Sequence, residues 1–144
     1  MIVNKSYIYI RDNDWFRQSN VYKVGITTSI KDRSSTYITG EVYRGIYVKI
    51  YELNINKNQL HLIDKLIKDE FKHYNIYYNG GMEFYNRKII NDIEPFFIEN
   101  KIKFISKNED ELTRINRENN KEIISNNYLK LVKNLLILQK EKEK

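Results

Sequence analysis

The chain has 144 residues, 41% of them apolar and 13% aromatic, and a formal net charge of +6. That length and apolar content suit one domain with a real core. The absence of cysteine excludes a disulfide framework and a Cys-ligated zinc site. The two histidines, His61 and His73, stand apart and argue against a His-based metal or nucleophile site, and no run of about 18 apolar residues is present to cross a membrane.

The N-terminal Met1-Ile2-Val3-Asn4-Lys5 lacks the features of a signal peptide, so the expected location is cytoplasmic. The basic surplus is uneven. Residues 1–107 hold 17 Lys and Arg against 12 Asp and Glu, whereas 108–144 hold 8 against 7. A surplus of this kind favours a polyanionic partner; the alternative is the solvated surface of a Lys-, Asn- and Ile-rich composition.

In chain order, residues 5–10 (K-S-Y-I-Y-I) alternate ring and aliphatic and predict a strand, with Tyr7 and Tyr9 on one face and Ile8 and Ile10 on the other. The polar residues 11–20 predict a loop, in which Trp15 and Phe16 are either an anchor on the core or a stacking surface. Residues 21–26 (V-Y-K-V-G-I) predict a second strand, antiparallel to the first. Gly25 within it marks a bulge or a close approach of another group.

Ser29-Ile30-Lys31-Asp32 has capping-box form, so a helix is expected from Ser29, with Ile30, Ser34 and Tyr37 on one face, Arg33 beside that face, and Gly40 as its stop. The whole stretch from Tyr22 to Gly40 therefore brings a lysine and an arginine to a strand-to-helix junction, an arrangement suited to a negatively charged substrate. Residues 46–55 are β-prone and switch parity after Ile50, which implies a bulge or a strand covered on both faces.

Leu60, Ile63, Leu66, Ile67, Phe71 and Tyr74 give residues 58–74 a helical apolar stripe. Asp64 lies on its margin and Glu70 within it. A carboxylate so placed requires a partner, a metal or a catalytic role, and an ion pair with Lys68 is the simplest solution. Residues 75–86 predict an aromatic loop that presents Glu83 between Met82 and Phe84. Residues 87–100 predict a helix kinked or broken at Pro95, and 102–105 a short edge strand.

Beyond Asn108 the segment 108–120 is expected to be a linker or weak helix. Ile124, Tyr128, Leu131, Leu135 and Leu138 then recur at four- and three-residue spacing, a coiled-coil-like stripe that either pairs with a second copy as a homodimer or folds back on the core. The division expected is a domain over 1–107 and a helical extension over 108–144, serving dimerisation or substrate contact.

In order and spacing these pieces resemble the GIY-YIG nuclease superfamily. Tyr7-Ile8-Tyr9 stands for the first motif, Lys23-Val24-Gly25 for the second, and Gly25, Arg33 and Thr39-Gly40 follow the spacing of a subgroup found in phages, large DNA viruses and some restriction enzymes. The helix 63–71 and Gly81-Met82-Glu83-Phe84 are similar to that subgroup's later motifs. Tyr7 replaces the first motif's glycine, and the family's terminal asparagine has no clear match, with Asn79 and Asn86 nearby. The resemblance covers roughly residues 5–105.

It implies an α+β fold in which a small central antiparallel three-stranded sheet is flanked by helices. It further implies an endonuclease acting on DNA with Mg2+ or Mn2+. By the same resemblance, Tyr9 and Lys23 activate water, Arg33 holds the scissile phosphate, and Asp64 or Glu83 holds the metal. Lys23, Lys31 and Arg33 contact the nucleic acid. A lysine acts as a base only when its pKa falls from about 10.4, and Arg33 is the cationic neighbour that would lower it. The rival expectations are a catalytically inactive nucleic-acid-binding protein on the same fold, and a protein-interaction module built on the C-terminal stripe.

Overall fold

The alternation of Tyr and Ile in the first strand organises the molecule. The computed structural model describes residues 4–34, 45–78 and 80–142, with the side chains of 119–130 and 141–142 set aside. β1 (Ser6–Asp12) pairs antiparallel with β2 (Val21–Thr27) on one side and with β3 (Ile46–Leu53) on the other. Ile8 and Ile10 turn to one face, where they pack with Val24, Tyr51 and Leu53. Tyr7 and Tyr9 turn to the opposite face with Tyr47 and Ile50. Ile50 and Tyr51 are both fully buried, so β3 is covered on both faces, and the ladder irregularity lies in the β1–β3 pairing, at Ile10/Arg11.

The sheet has six strands, in the order β4-β5-β2-β1-β3-β6, and every neighbouring pair is antiparallel. The three-stranded sheet expected from the sequence is therefore corrected: those strands are only its centre. β4 (Asn75–Tyr78) and β5 (Gly81–Asn86) form a hairpin that continues the sheet beyond β2. The dipeptide at 79–80 is Asn-Gly, a strong signal for a two-residue hairpin turn, and Gly80 has φ +80°. On the far side, β6 (Ile105–Ser106) pairs with Tyr51 and Glu52 of β3.

Helices cover both faces. α1 (Asp14–Gln18) occupies the segment expected as a loop, capped by Asn13, whose side chain accepts from the Phe16 N–H. Phe16 is buried with Val21 and Phe84, whereas Trp15 is about half exposed, so only the phenylalanine anchors. α2 (Lys57–Glu70) starts at an Asn56–Gln59 capping box and buries Leu60, Ile63 and Ile67 against the Ile8/Ile10 face.

A 3-10 turn, Arg87–Asn91, precedes α3 (Ile93–Glu99). The helix expected over 87–100 is thus broken in two, at Asp92 rather than at Pro95; Pro95 is the third residue of α3, where first-turn amides have no intrahelical acceptor to lose. Arg87 grips Asp12 with two bonds, 2.8 and 3.0 Å, and so ties the end of β1 to the chain after β5. α4 (Glu109–Lys142) is one continuous helix, and Leu112 and Ile115 in its first turns pack on the Tyr9/Tyr47 face. Tyr37, Thr39 and Gly40 lie outside the described residues, as do Asn79 and the side chains of Ile124 and Tyr128.

Candidate functional site

Because β1 alternates, Tyr7, Tyr9 and Arg11 all stand on the face turned away from α2. Tyr9 is fully buried, packs edge-on against Tyr47 at 5.5 Å, and lies across the ladder from Gly25. The helical turn 30–34 comes down over this face. Ser29 caps it, its hydroxyl accepting from the Asp32 N–H at 3.3 Å. Arg33, in this turn, donates its Nε–H to the Tyr9 hydroxyl at 2.8 Å.

The next residue fixes the turn to the sheet. Ser34 donates its only hydroxyl proton to the Ile30 carbonyl at 2.7 Å. In the 2.9 Å bond between Ser34 Oγ and Tyr47 Oη, the donor is therefore Tyr47. Burial raises the Tyr47 pKa and keeps that proton in place.

Lys23 joins the same face from β2, where its register partner is Arg11. Its side chain is 15% exposed; Nζ lies 3.5 Å from Glu83 Oε2 and 5.9 Å from the centre of the Phe84 ring. Arg11 is fully buried, with its guanidinium 4.7 Å from the centre of the Tyr47 ring. The face thus gathers Arg11, Lys23 and Arg33, with the half-exposed carboxylate of Glu83 at its margin. Lys31 is exposed on the helical turn.

Asp64 stands elsewhere. It is carried by α2, whose buried residues pack on the Ile8/Ile10 side of the sheet, and it pairs with Lys68 at 3.1 Å. The two carboxylates share one neighbour, the Tyr85 hydroxyl. Burial pushes its pKa up to about 12, the negative charges of Asp64 and Glu83 add to the rise, and a hydrogen bond from Asn75 opposes it. Of the two, Glu83 is the one paired with Lys23.

The structure therefore brings Tyr9, Lys23 and Arg33 to one face with Glu83 at its edge, whereas Asp64 comes from the α2 side and meets Glu83 only through the Tyr85 hydroxyl. Arg11, Tyr47 and Asn116 belong to this region without having been singled out in the sequence, and Ser34 had been placed only on the helix face with Ile30. For Arg11 a signal existed, since it continues the Tyr7/Tyr9 alternation. For Asn116, in an Asn-rich charged segment, none did. A separate cavity of about 770 Å3, lined by residues such as Leu53, Ile55, Leu62 and Phe104, contains none of the site residues. Among the described residues no helix is long and apolar enough to cross a membrane, and no group of three or more His, Cys, Asp or Glu is placed to hold a metal ion.

Fold and site together define an α+β domain that presents a cationic face with a carboxylate at its rim. The family model described as "T5orf172 domain" matches residues 6–128. The chain belongs to the T5orf172 domain family, a nuclease-like domain family. This corrects the GIY-YIG resemblance, for which no family model matches. The motifs whose order carried it are each short and weak alone, its first glycine is Tyr7 here, and strand alternation alone produces such Tyr-Ile-Tyr runs. Neither the curated proteins nor the solved structures contain a match.

Proposed function

We propose that the protein is a metal-dependent endonuclease that hydrolyses DNA phosphodiester bonds on the Tyr9 face. The observation that carries this reading is the 2.8 Å bond from Arg33 to the buried Tyr9 hydroxyl, on the same face as the Lys23–Glu83 pair. A guanidinium held through Nε presents its remaining N–H groups in a fixed plane, which suits two phosphoryl oxygens. Arg33 then neutralises the charge that builds on the phosphorus oxygens. Tyr9, fully buried, positions Arg33. Lys23, paired with Glu83, orients the attacking water. Lys31 and Arg33 add to the backbone contacts of the bound DNA, which weaken as salt rises.

Glu83 is the carboxylate that would hold the metal. Its side chain is 49% exposed and beside the site, and a hard cation such as Mg2+ is commonly held by one or two carboxylates, with substrate phosphates and waters completing its shell. A bound ion would supply Lewis acidity to the phosphate oxygens. Asp64, on the far side of the sheet and paired with Lys68, is assigned a structural role.

The test is nicking of supercoiled plasmid with Mg2+ by the wild type, Arg33→Ala and Glu83→Gln. Loss of nicking by about 10²–10³-fold in both variants is the expected result. A second reading, a nucleic-acid-binding protein without activity, is favoured by one observation: no three-member ligand cluster exists among the described residues. DNA binding without cleavage by the wild type, at high protein and metal, establishes that reading and overturns the first.

A further inference from the structure

We infer that Asn116 is a positioning residue of the Tyr9 face, so that α4 is a working part of the site. The inference rests on the reading above for its catalytic consequence, and on hydrogen bonds alone for its geometry. The Asn116 carboxamide accepts from the Tyr47 N–H at 2.7 Å and donates to the Tyr47 carbonyl at 3.0 Å. It thus closes both backbone groups of one β3 residue, as a neighbouring strand would. β6 pairs with β3 only at Tyr51 and Glu52, and Lys107 adds one bond to the Ile50 carbonyl. Past that point α4 takes over, with Leu112 and Ile115 against the Tyr9, Tyr47 and Ile50 cluster.

From Tyr47 two routes lead to Arg33. The Tyr47 hydroxyl donates to Ser34, which in turn holds the Ile30 carbonyl, so the turn carrying Arg33 is fastened at both ends. The Tyr47 ring also braces the Tyr9 ring, whose hydroxyl accepts from Arg33. A shift of Tyr47 therefore moves the Arg33 guanidinium. Asparagine fits the task because its amide is both donor and acceptor on a short stem. Aspartate keeps the acceptor and loses the donor, and alanine loses both.

Two readouts test this. The first follows the Arg33 Nε–H by NMR, assigned through Arg33→Lys. In Asn116→Ala and in Tyr47→Phe this signal is expected to shift and to lose protection from solvent exchange, with Asn116→Asp intermediate. The second is plasmid nicking: kcat falls by about 10²-fold in Asn116→Ala while KM stays within about two-fold. The Asn116→Ala/Tyr47→Phe pair falls little further than the worse single change, because both act through Tyr47.

An Arg33 signal unchanged in Asn116→Ala overturns the inference, as does a kcat loss matched by Leu112→Ala, which tests loosened packing alone. Should Asn116→Ala fail to fold, Asn116→Asp, which loses only the bond to the Tyr47 carbonyl, decides by the same signal. If the wild type does not nick DNA, a shifted Arg33 signal still upholds the positioning role, and only the nuclease reading falls.

Discussion

Gly25 faces Tyr9 across the β1–β2 ladder so closely that a Cβ on Gly25 would collide with the Tyr9 hydroxyl and ring. The glycine is therefore there for space, since it leaves room for the ring that receives Arg33. Gly25→Ala is expected to destabilise the fold by about 1–3 kcal/mol through overpacking, measured by urea unfolding. It should also push the Tyr9 hydroxyl off Arg33 and reduce nicking. A change below about 0.5 kcal/mol would mean that the strands separate to admit the methyl group, and the close approach would then lose its importance.

What was legible in the sequence was local. The Tyr7/Tyr9 against Ile8/Ile10 alternation placed β1 and its two faces correctly, and Ser29 announced the turn that carries Arg33. Gly25 as a point of close approach followed from a glycine inside a strand. What escaped depended on partners distant in sequence. The β4–β5 hairpin was missed because an aromatic run broken by Gly80-Gly81 shows no clean alternation, although its Asn-Gly turn was visible, whereas the short edge strand expected at 102–105 has its counterpart in β6. Asn116 meets Tyr47 across 69 residues, and no local pattern encodes that contact. The side of the sheet on which Asp64 falls likewise became visible only once α2 was seen to pack on Ile8 and Ile10.

The two candidate carboxylates make opposite predictions. Glu83 reaches Lys23 at 3.5 Å, whereas Asp64 is paired with Lys68 at 3.1 Å. Glu83→Gln is expected to lower Mg2+-dependent nicking by about 10²-fold or more, and Asp64→Asn to leave it within a few-fold of the wild type. EDTA should abolish the activity of the wild type. If instead Asp64→Asn is the inactive variant, the metal lies on the α2 side and the assignment of Glu83 is wrong.

Three buried tyrosines set the response to alkali. Burial raises the pKa of Tyr47, Tyr51 and Tyr85 above the unfolded value of 10.0. A raised folded pKa means that the unfolded chain releases the proton first. The stability these groups provide is complete below about pH 10 and is lost as pH rises through their folded values. Thermal melts should therefore hold steady from neutral pH to about pH 9.5 and fall steeply above it. Tyr51 allows a sharper comparison, because its hydroxyl is buried with no hydrogen-bond partner among the described residues. Tyr51→Phe removes both the orphan hydroxyl and one of the alkaline titrations. It should raise stability by about 1 kcal/mol at pH 7 and flatten the alkaline fall. A loss of stability in Tyr51→Phe would show that the hydroxyl is satisfied after all.

α4 changes character along its length. Its first turns are seated on the sheet through Leu112, Ile115 and Asn116, whereas Leu131, Leu135 and Leu138 are each more than half exposed. Of the two outcomes open to the apolar stripe, folding back on the core is therefore not the one adopted by these three leucines. Leu136 and Ile137 are exposed as well, so the apolar surface is wider than a two-stranded seam requires. Such a surface on a helix is expected to self-associate. Sedimentation of the whole chain should show a concentration-dependent dimer that the double variant Leu131→Asp/Leu135→Asp abolishes. The melting temperature of the sheet domain should be little changed, because neither leucine packs on it. A wild type that stays monomeric at high concentration would leave this surface without a second copy as its cover. If a dimer forms, Leu131 lies about 22 Å along α4 from Asn116 at 1.5 Å per residue. Plasmid nicking followed across the dimerisation range would then show whether pairing the far end of the helix reaches Arg33 through Tyr47.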